Sequence, residues 1–312
     1  MLIDTHAHVN FSAYKDDADE VLQRALESQV FVVNVGSQYS TSVRAVEMAK
    51  KYPEGIYACV GIHPLHLQEM IFMHKDDDEL DEVEIKTREE DFDYDKYFEL
   101  AQDKKVVAIG EVGLDYHHFD PPRACLVESR RVDEASPRVE AGEGDDTEKI
   151  IKKQKEVLIK FIKLANEVEK PLMIHCWGVK SDFKKSDHPR TDAYEDLLEI
   201  LKNNPVEKRG IIHSFVGGYK TAQKFIELGY KIGLNGIVTY GISYDRLIRE
   251  IDLEDIVIET DCPYLTPVPK KGERNEPTLV KLVAKKIADI KGISAEEVAK
   301  ITTENAKKSL KI

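Results

Sequence analysis

The 312-residue chain has only four cysteines, Cys59, Cys125, Cys176 and Cys262, and no two of them form a C-x-x-C pair. That scatter excludes a disulfide framework and reads as a reduced, cytoplasmic compartment. No apolar run approaches the ~18 residues that a membrane-spanning helix needs, so no membrane partner is expected. The opening MLIDTHAHV lacks the basic segment and cleavage site of a signal peptide. No G-x-G-x-x-G follows the first apolar run, which weighs against a dinucleotide-binding open sheet. Excess positive charge is also missing, since the formal net charge is −13. Residues 69–95 alone hold 13 acids and 3 bases, so the rest of the chain carries only −3. The acidity is local and says little about the sign of the working face.

What the sequence does contain is a regular series of short β-branched runs separated by amphipathic stretches. The runs fall at 2–6, 30–36, 56–63, 106–113, 171–177, 210–215, 231–236 and 256–260. Helical patterns fall near 16–28, 40–51, 95–103, 147–168, 191–203, 219–228, 243–251 and 277–291, and Ser294 with Glu297 forms a capping box for a closing helix. Eight strands each followed by a helix predict a single α/β domain over residues 1–312, a (β/α)8 TIM barrel. A doubly wound open sheet is the second choice. Two polar stretches, at about 66–95 and 117–146, break the spacing after strand ends and read as surface insertions, the acidic one with room for a helix.

The polar residues gather at the strand ends. His6 and His8 close the first run, with Asp4 two residues before them. Alternation along a strand puts all three on one face. Two imidazoles and a carboxylate buried together need a partner, and a divalent cation is one. A lone histidine beside an apolar run is more often a core residue, so the coincidence along the chain is what counts. GIHP ends the third run with His63, GEVGLDY carries Glu111 and Asp115, IHCW brings His175, IHSF brings His213, and ETDCPYLTP brings Glu259 and Asp261. In a barrel these ends converge on one mouth. His6, His8, Glu111, His175, His213 and Asp261 suffice for two metal ions, with Glu111 as bridge because a carboxylate offers two oxygens. Metal pairs of this kind lie ~3.5–4 Å apart in nucleases and phosphatases. Asp115 and Glu259 read equally well as supporting or ion-paired carboxylates.

Together these pieces resemble the TatD family of metal-dependent deoxyribonucleases, within the amidohydrolase superfamily. The resemblance runs in order through DTHAH, GIHP, GEVGLDY, IHCW, IHSFVGG, GLNGIVTY, VIETDCPYLTP, RNEP at 274–277 and TTENAKK. It implies a TIM barrel with two divalent ions, magnesium, manganese or zinc, at the strand ends. His6, His8, Glu111 and Asp261 would hold one ion, and Glu111, His175 and His213 the other. It also implies phosphodiester hydrolysis in DNA, often as a 3′→5′ exonuclease; no protein partner is evident in the sequence. A divalent ion makes its water acidic enough to attack phosphorus near neutral pH. Asp261 and Glu111 are the catalytic carboxylates, Asp261 being placed to take the water's proton.

One departure stands out. Family members commonly carry an arginine two residues after the fifth-strand histidine, and this chain has Trp177 there. Candidate substrate contacts are therefore His63, Trp177 as a stacking surface, Lys184, Lys185 and Arg190 from the following loop, and Arg274 and Asn275 after the eighth strand. The same metal centre also suits a small-molecule amidohydrolase or an esterase, including aminoacyl-ester cleavage. A binding protein with a vestigial site is the third reading, and the full ligand set argues against it.

Overall fold

The computed structural model describes residues 1–69, 71–74, 83–119, 144–178 and 192–312. The apolar runs form β1 (Leu2–Ala7), β2 (Val30–Val35), β3 (Ile56–Val60), β4 (Ile71–His74), β5 (Val83–Lys86), β6 (Val106–Asp115), β7 (Leu172–Trp177), β8 (Gly210–Ile212), β9 (Lys231–Leu234) and β10 (Ile256–Ile258). Eight of them make one parallel sheet in the order β1-β2-β3-β6-β7-β8-β9-β10. Around it lie α1 (Ala18–Glu27), α2 (Tyr39–Lys50), α3 (Tyr94–Ala101), α4 (Gly144–Glu167), α5 (Ala193–Asn203), α6 (Tyr219–Glu227), α7 (Asp245–Glu250), α8 (Val280–Lys291) and α9 (Ala295–Leu310). Strand and helix alternate as a (β/α)8 barrel requires. No helix among the described residues is long and apolar enough to cross a membrane.

Within the acidic segment, β4 and β5 pair antiparallel outside the barrel, with Phe72 opposite Ile85 and Met73 opposite Glu84. IFMH and VEIK are short β-forming runs, and the expected room for a helix between them falls on residues 75–82, outside the described residues.

Two apolar layers hold the barrel. Ile3, Val33, Val35, Cys59, Met173, Ile211 and Val257 fill its interior, together with Ala306 and Leu310 from α9. Leu2, Val32, Ala58, Ile174, Ile212 and Ile258 face the helices, against Leu22, Ala45, Phe161, Leu197 and Phe225. The three described cysteines Cys59, Cys176 and Cys262 are buried and free. Helix α9 is capped by Ser294, whose hydroxyl accepts from Glu297 N at 3.1 Å. Asn305, from TTENAKK, donates to the Leu253 and Ile256 carbonyls at 2.8 Å each.

The parallel sheet has three register slips, one of them between β3 and β6 at Ala58/Cys59, and the other two serve the mouth. Against β2, the register of β1 slips by one residue between Asp4 and Ala7. Against β7, β6 slips likewise between Ile109 and Val112. A bulge inserts one residue and turns the following side chains. Asp4 therefore does not share a face with the two histidines. Its carboxylate turns to the β1–β10 seam, where it accepts from His6 N at 3.2 Å, Thr260 N at 2.9 Å and Thr260 Oγ1 at 2.5 Å. Alongside, Asp261 N donates to His6 O and His8 N to Cys262 O, both at 2.8 Å. Thr5 Oγ1 donates to Ile258 O at 3.2 Å.

Replacing Asp4 with Ala strands three buried donors. The expected loss is about 3 kcal/mol, read as a lower urea midpoint with an unchanged m-value. An unchanged midpoint would show that the seam does not depend on this carboxylate.

Candidate metal centre

The two bulges and their glycines position the central carboxylate. Glu111 lies between Gly110 and Gly113, whose φ angles are +153° and +155°. A Cβ on Gly113 would sit 1.8 Å from the His175 carbonyl oxygen, and one on Gly110 would sit 2.3 Å from that of Met173. The glycines let β6 and β7 approach there, with Glu111 projecting into the mouth.

One donor set gathers on Glu111 Oε2. His6 Nε2 lies 3.3 Å and His8 Nε2 3.7 Å from it. Asp261 Oδ1 is 3.8 Å from His6 Nε2 and 3.3 Å from His8 Nε2, and the two imidazole nitrogens are 3.1 Å apart. Ligand atoms bound at about 2.1 Å at the corners of a tetrahedron stand about 3.4 Å from one another, so this set fits a cation. The tautomer fits too. His8 Nδ1 donates to Val35 O at 2.8 Å, which leaves a lone pair on Nε2, and a backbone carbonyl in that role is the usual support of a metal-binding histidine.

A second set gathers on Glu111 Oε1. His213 Nε2 lies at 2.6 Å, His175 Nδ1 at 3.0 Å and His63 Nε2 at 3.5 Å. Asp115 holds the far side of His175, with Oδ2 at 3.1 Å from Nε2. His118 holds Asp115 in turn, with Nδ1 at 2.9 Å. Glu259 accepts from Ser214 N at 2.5 Å and stands 3.6 Å from His213 Nδ1. His6 Nδ1 is buried with no hydrogen-bond partner. Among the described residues three trios can accept an ion: His6–His8–Asp261 and His6–His213–Glu259, which share His6, and His63–Glu111–His175. Glu111 thus faces two groups of imidazoles, one through each oxygen.

Charge follows from these contacts. Burial favours the neutral form of Glu111, but the His213, His63 and His6 imidazoles outweigh it and hold the carboxyl well below its usual range. Burial opposes ionisation of Asp261 as well, and without a metal the His8 ring gains a second proton on Nε2, whose hydrogen bond, together with the nearby imidazoles, brings Asp261 to about 2. His175 works the other way. Burial disfavours its charge, yet hydrogen bonds to Asp115 and Glu111 lift it to about 9. Burial leaves His63 neutral. Since His63 Nδ1 accepts from Leu65 N at 3.2 Å, its proton is on Nε2, facing the site.

These groups line a cavity of about 200 Å³ that also takes in Phe11, His66, His118, Trp177, Tyr264 and Leu265. No Lys or Arg is among its described lining residues. Of the substrate contacts read from the sequence, His63 and Trp177 line it, and Lys184, Lys185 and Arg190 lie outside the described residues. Arg274 and Asn275 are not among its described lining residues. The Arg274 guanidinium pairs with Asp17 at 2.9 and 2.5 Å and lies 4.5 Å from the centre of the Tyr14 ring. Asn275 is fully buried and donates to the Thr260 and Tyr264 carbonyls at 3.0 and 2.6 Å. Both fasten the loop after β10 to α1 and to the seam.

Sequence reading missed three residues. His118 clamps Asp115. Phe11 stacks on His8 with ring centroids 4.2 Å apart. His66 is buried, and that burial pushes it down to about 4. HPLH and DYHH gave a faint signal for the two histidines, and Phe11 gave none.

The fold and this donor set define a metal-dependent hydrolase on a TIM barrel. Residues 3–311 match the family described as TatD related DNase, and the chain belongs to it. It is 36% identical to the "Uncharacterized metal-dependent hydrolase YabD" of Bacillus subtilis (strain 168), covering 100% of both chains. The crystal structure of YJJV, a TatD homolog from Escherichia coli K12, superposes with a TM-score of 0.73 at 24% identity, over 100% of this chain and 98% of that one. A TatD-family hydrolase from Entamoeba histolytica superposes with a TM-score of 0.68 at 20% identity, over 99% and 97%.

Two outcomes test the centre. The double variant His6→Ala, His8→Ala should lose the ion of the first set, read as a drop in metal content after dialysis; unchanged content would place the metal elsewhere. The second concerns pH in chelator-treated protein. The folded value of His175 lies above that of free imidazole, so its stabilisation is complete below pH about 6.5 and lost as pH rises through about 9. Asp261 is depressed, so its share is present above pH about 4 and lost as pH falls toward about 2. The His175 share of thermal stability should therefore fade toward about pH 9 and the Asp261 share toward about pH 2, and His175→Gln should flatten the alkaline limb. Superimposable profiles would rule out the two-carboxylate clamp on His175.

Proposed function

We propose that this protein is a deoxyribonuclease that hydrolyses phosphodiester bonds in DNA, working from the 3′ end with two divalent ions. The observation that carries the reading is Glu111, buried and anionic, with one oxygen toward His6 and His8 and the other toward His175 and His213. His6, His8, Glu111 and Asp261 would hold one ion; Glu111, His175 and His213, with His63 close by, would hold the second. Magnesium, manganese and zinc all suit a set of imidazoles and carboxylates. When bound, such ions supply an acidified water and offset charge on the phosphate oxygens.

The chain's own residues do the rest. Asp261 is ionised near neutral pH and accepts the proton of the attacking water at Oδ1 or Oδ2. His63 is neutral with its proton on Nε2, so it donates a hydrogen bond to a non-bridging phosphate oxygen or to the departing hydroxyl. Asp115 keeps the His175 proton on Nε2, so Nδ1 faces Glu111. Phe11, packed against His8, limits that imidazole's freedom to turn.

A second reading is favoured by one observation. With no Lys or Arg on its described wall, the cavity suits a small amide or an ester, including an aminoacyl ester, as well as a polyanion. A panel of single- and double-stranded DNA, RNA, amides and esters, each with Mg²⁺, Mn²⁺ or Zn²⁺, separates the two. DNA cleavage that releases mononucleotides from the 3′ end is expected, and turnover confined to amides or esters would replace this reading with the second. Asp261→Asn should lower the rate by about 10²–10⁴-fold while retaining most of the metal. Parallel loss of metal and rate would remove its role as proton acceptor.

A further inference from the structure

We propose that Trp177, backed by His117, is a nucleobase subsite, and that it takes the base of a nucleotide flanking the scissile bond. The identity of the ligand rests on the deoxyribonuclease reading. The site itself rests on geometry.

Trp177 is the only tryptophan of the chain and ends β7, two residues after His175. Its half-buried indole lines the metal cavity. The His117 ring lies parallel to it, with centroids 4.2 Å apart and planes 2° from parallel. His117 is exposed and does not line the cavity, so it supports the indole from outside. His118 stands edge-on to Trp177, with centroids 5.3 Å apart. The platform is also fixed along its backbone, where Asp115 and Trp177 are register partners and Tyr116 N donates to Trp177 O at 2.8 Å.

The platform is joined to the metal centre by two hydrogen bonds, His118 to Asp115 at 2.9 Å and Asp115 to His175 at 3.1 Å. A phosphate at the centre would therefore present its neighbouring nucleoside to the indole. Leu65, Val216, Ile237 and Leu265 give the cavity apolar wall that suits a flat ring. Among the described lining residues no Lys or Arg offers a grip on a second phosphate. Every base has a π-face, so such a subsite accepts all four and rejects a sugar without a base. It also requires the base to be unstacked from its neighbours, as at a frayed or single-stranded end.

Because Trp177 is the sole tryptophan, its emission reports occupancy without any turnover. In Mg²⁺, a deoxynucleoside 5′-monophosphate should quench it saturably, and deoxyribose 5-phosphate should not. In turnover, wild type should prefer an oligonucleotide with a normal terminal nucleotide over one ending in a tetrahydrofuran abasic unit by about 10-fold in KM. Trp177→Ala should erase that preference, and Trp177→Phe should restore most of it. Equal quenching by both phosphates, or a KM preference that survives in Trp177→Ala, would overturn the subsite. Base-dependent quenching by a protein that leaves DNA intact would keep the subsite and discard the deoxyribonuclease reading. DNA cleavage with no quenching by either phosphate would do the reverse.

Discussion

A buried carboxylate that must stay ionised is the constraint on which the rest of this molecule turns. Glu111 is buried near the centre of the barrel mouth, and desolvation pushes it toward neutrality. Imidazoles on both of its oxygens hold it ionised. An anion there is costly unless cations or strong donors surround it. The mouth supplies histidines from β1, β7 and the residue after β8, and a bound metal ion would complete the neutralisation. Asp261, Asp115 and Glu259 add further carboxylates to the same small volume, and no Lys or Arg lines the described cavity to offset them. The donor set suits a metal cation as the counter-charge.

Holding Glu111 in place shapes the backbone around it. The glycines on either side permit an approach of β6 to β7 that a Cβ would block, and the register slip turns the carboxylate into the mouth. The matching slip in β1 sends His6 and His8 toward Glu111 and frees Asp4 for the seam with β10. Asp4 and Thr260 therefore help to place His6 and Asp261 without touching the ligand atoms. The same division holds after β10, where Arg274 and Asn275 fasten the loop and leave the cavity wall to Phe11, Tyr264 and Leu265. Trp177 and His117 give that wall a flat aromatic surface beside the second donor set.

Much of this was legible in the residue string. Eight β-branched runs alternating with amphipathic stretches are the direct signature of a parallel barrel, because strands buried on both sides must be apolar throughout. Polar residues interrupting those runs at their ends stood out for the same reason, so all six candidate ligands could be named. The β4–β5 pairing in the acidic segment was not legible, because acid-rich composition marks exposure and says nothing about strand pairing. The partners of Arg274 and Asn275 were not legible, because charge and position after a strand suggest the mouth, whereas the direction of the loop decides which groups a side chain meets.

By itself, then, the amino-acid order determined the barrel, the segments that build it and the identity of the residues at its mouth, since hydrophobic period and residue type are local properties written along the chain. Only the tertiary structure decided that Asp4 belongs to the seam, that Glu111 divides the histidines between its two oxygens, that His118 and Asp115 steady His175, and that His117 lies against Trp177. Those facts depend on register slips and on contacts between residues as far apart as Asp4 and Thr260. A one-residue bulge reverses the direction of a side chain without leaving a mark in composition or spacing.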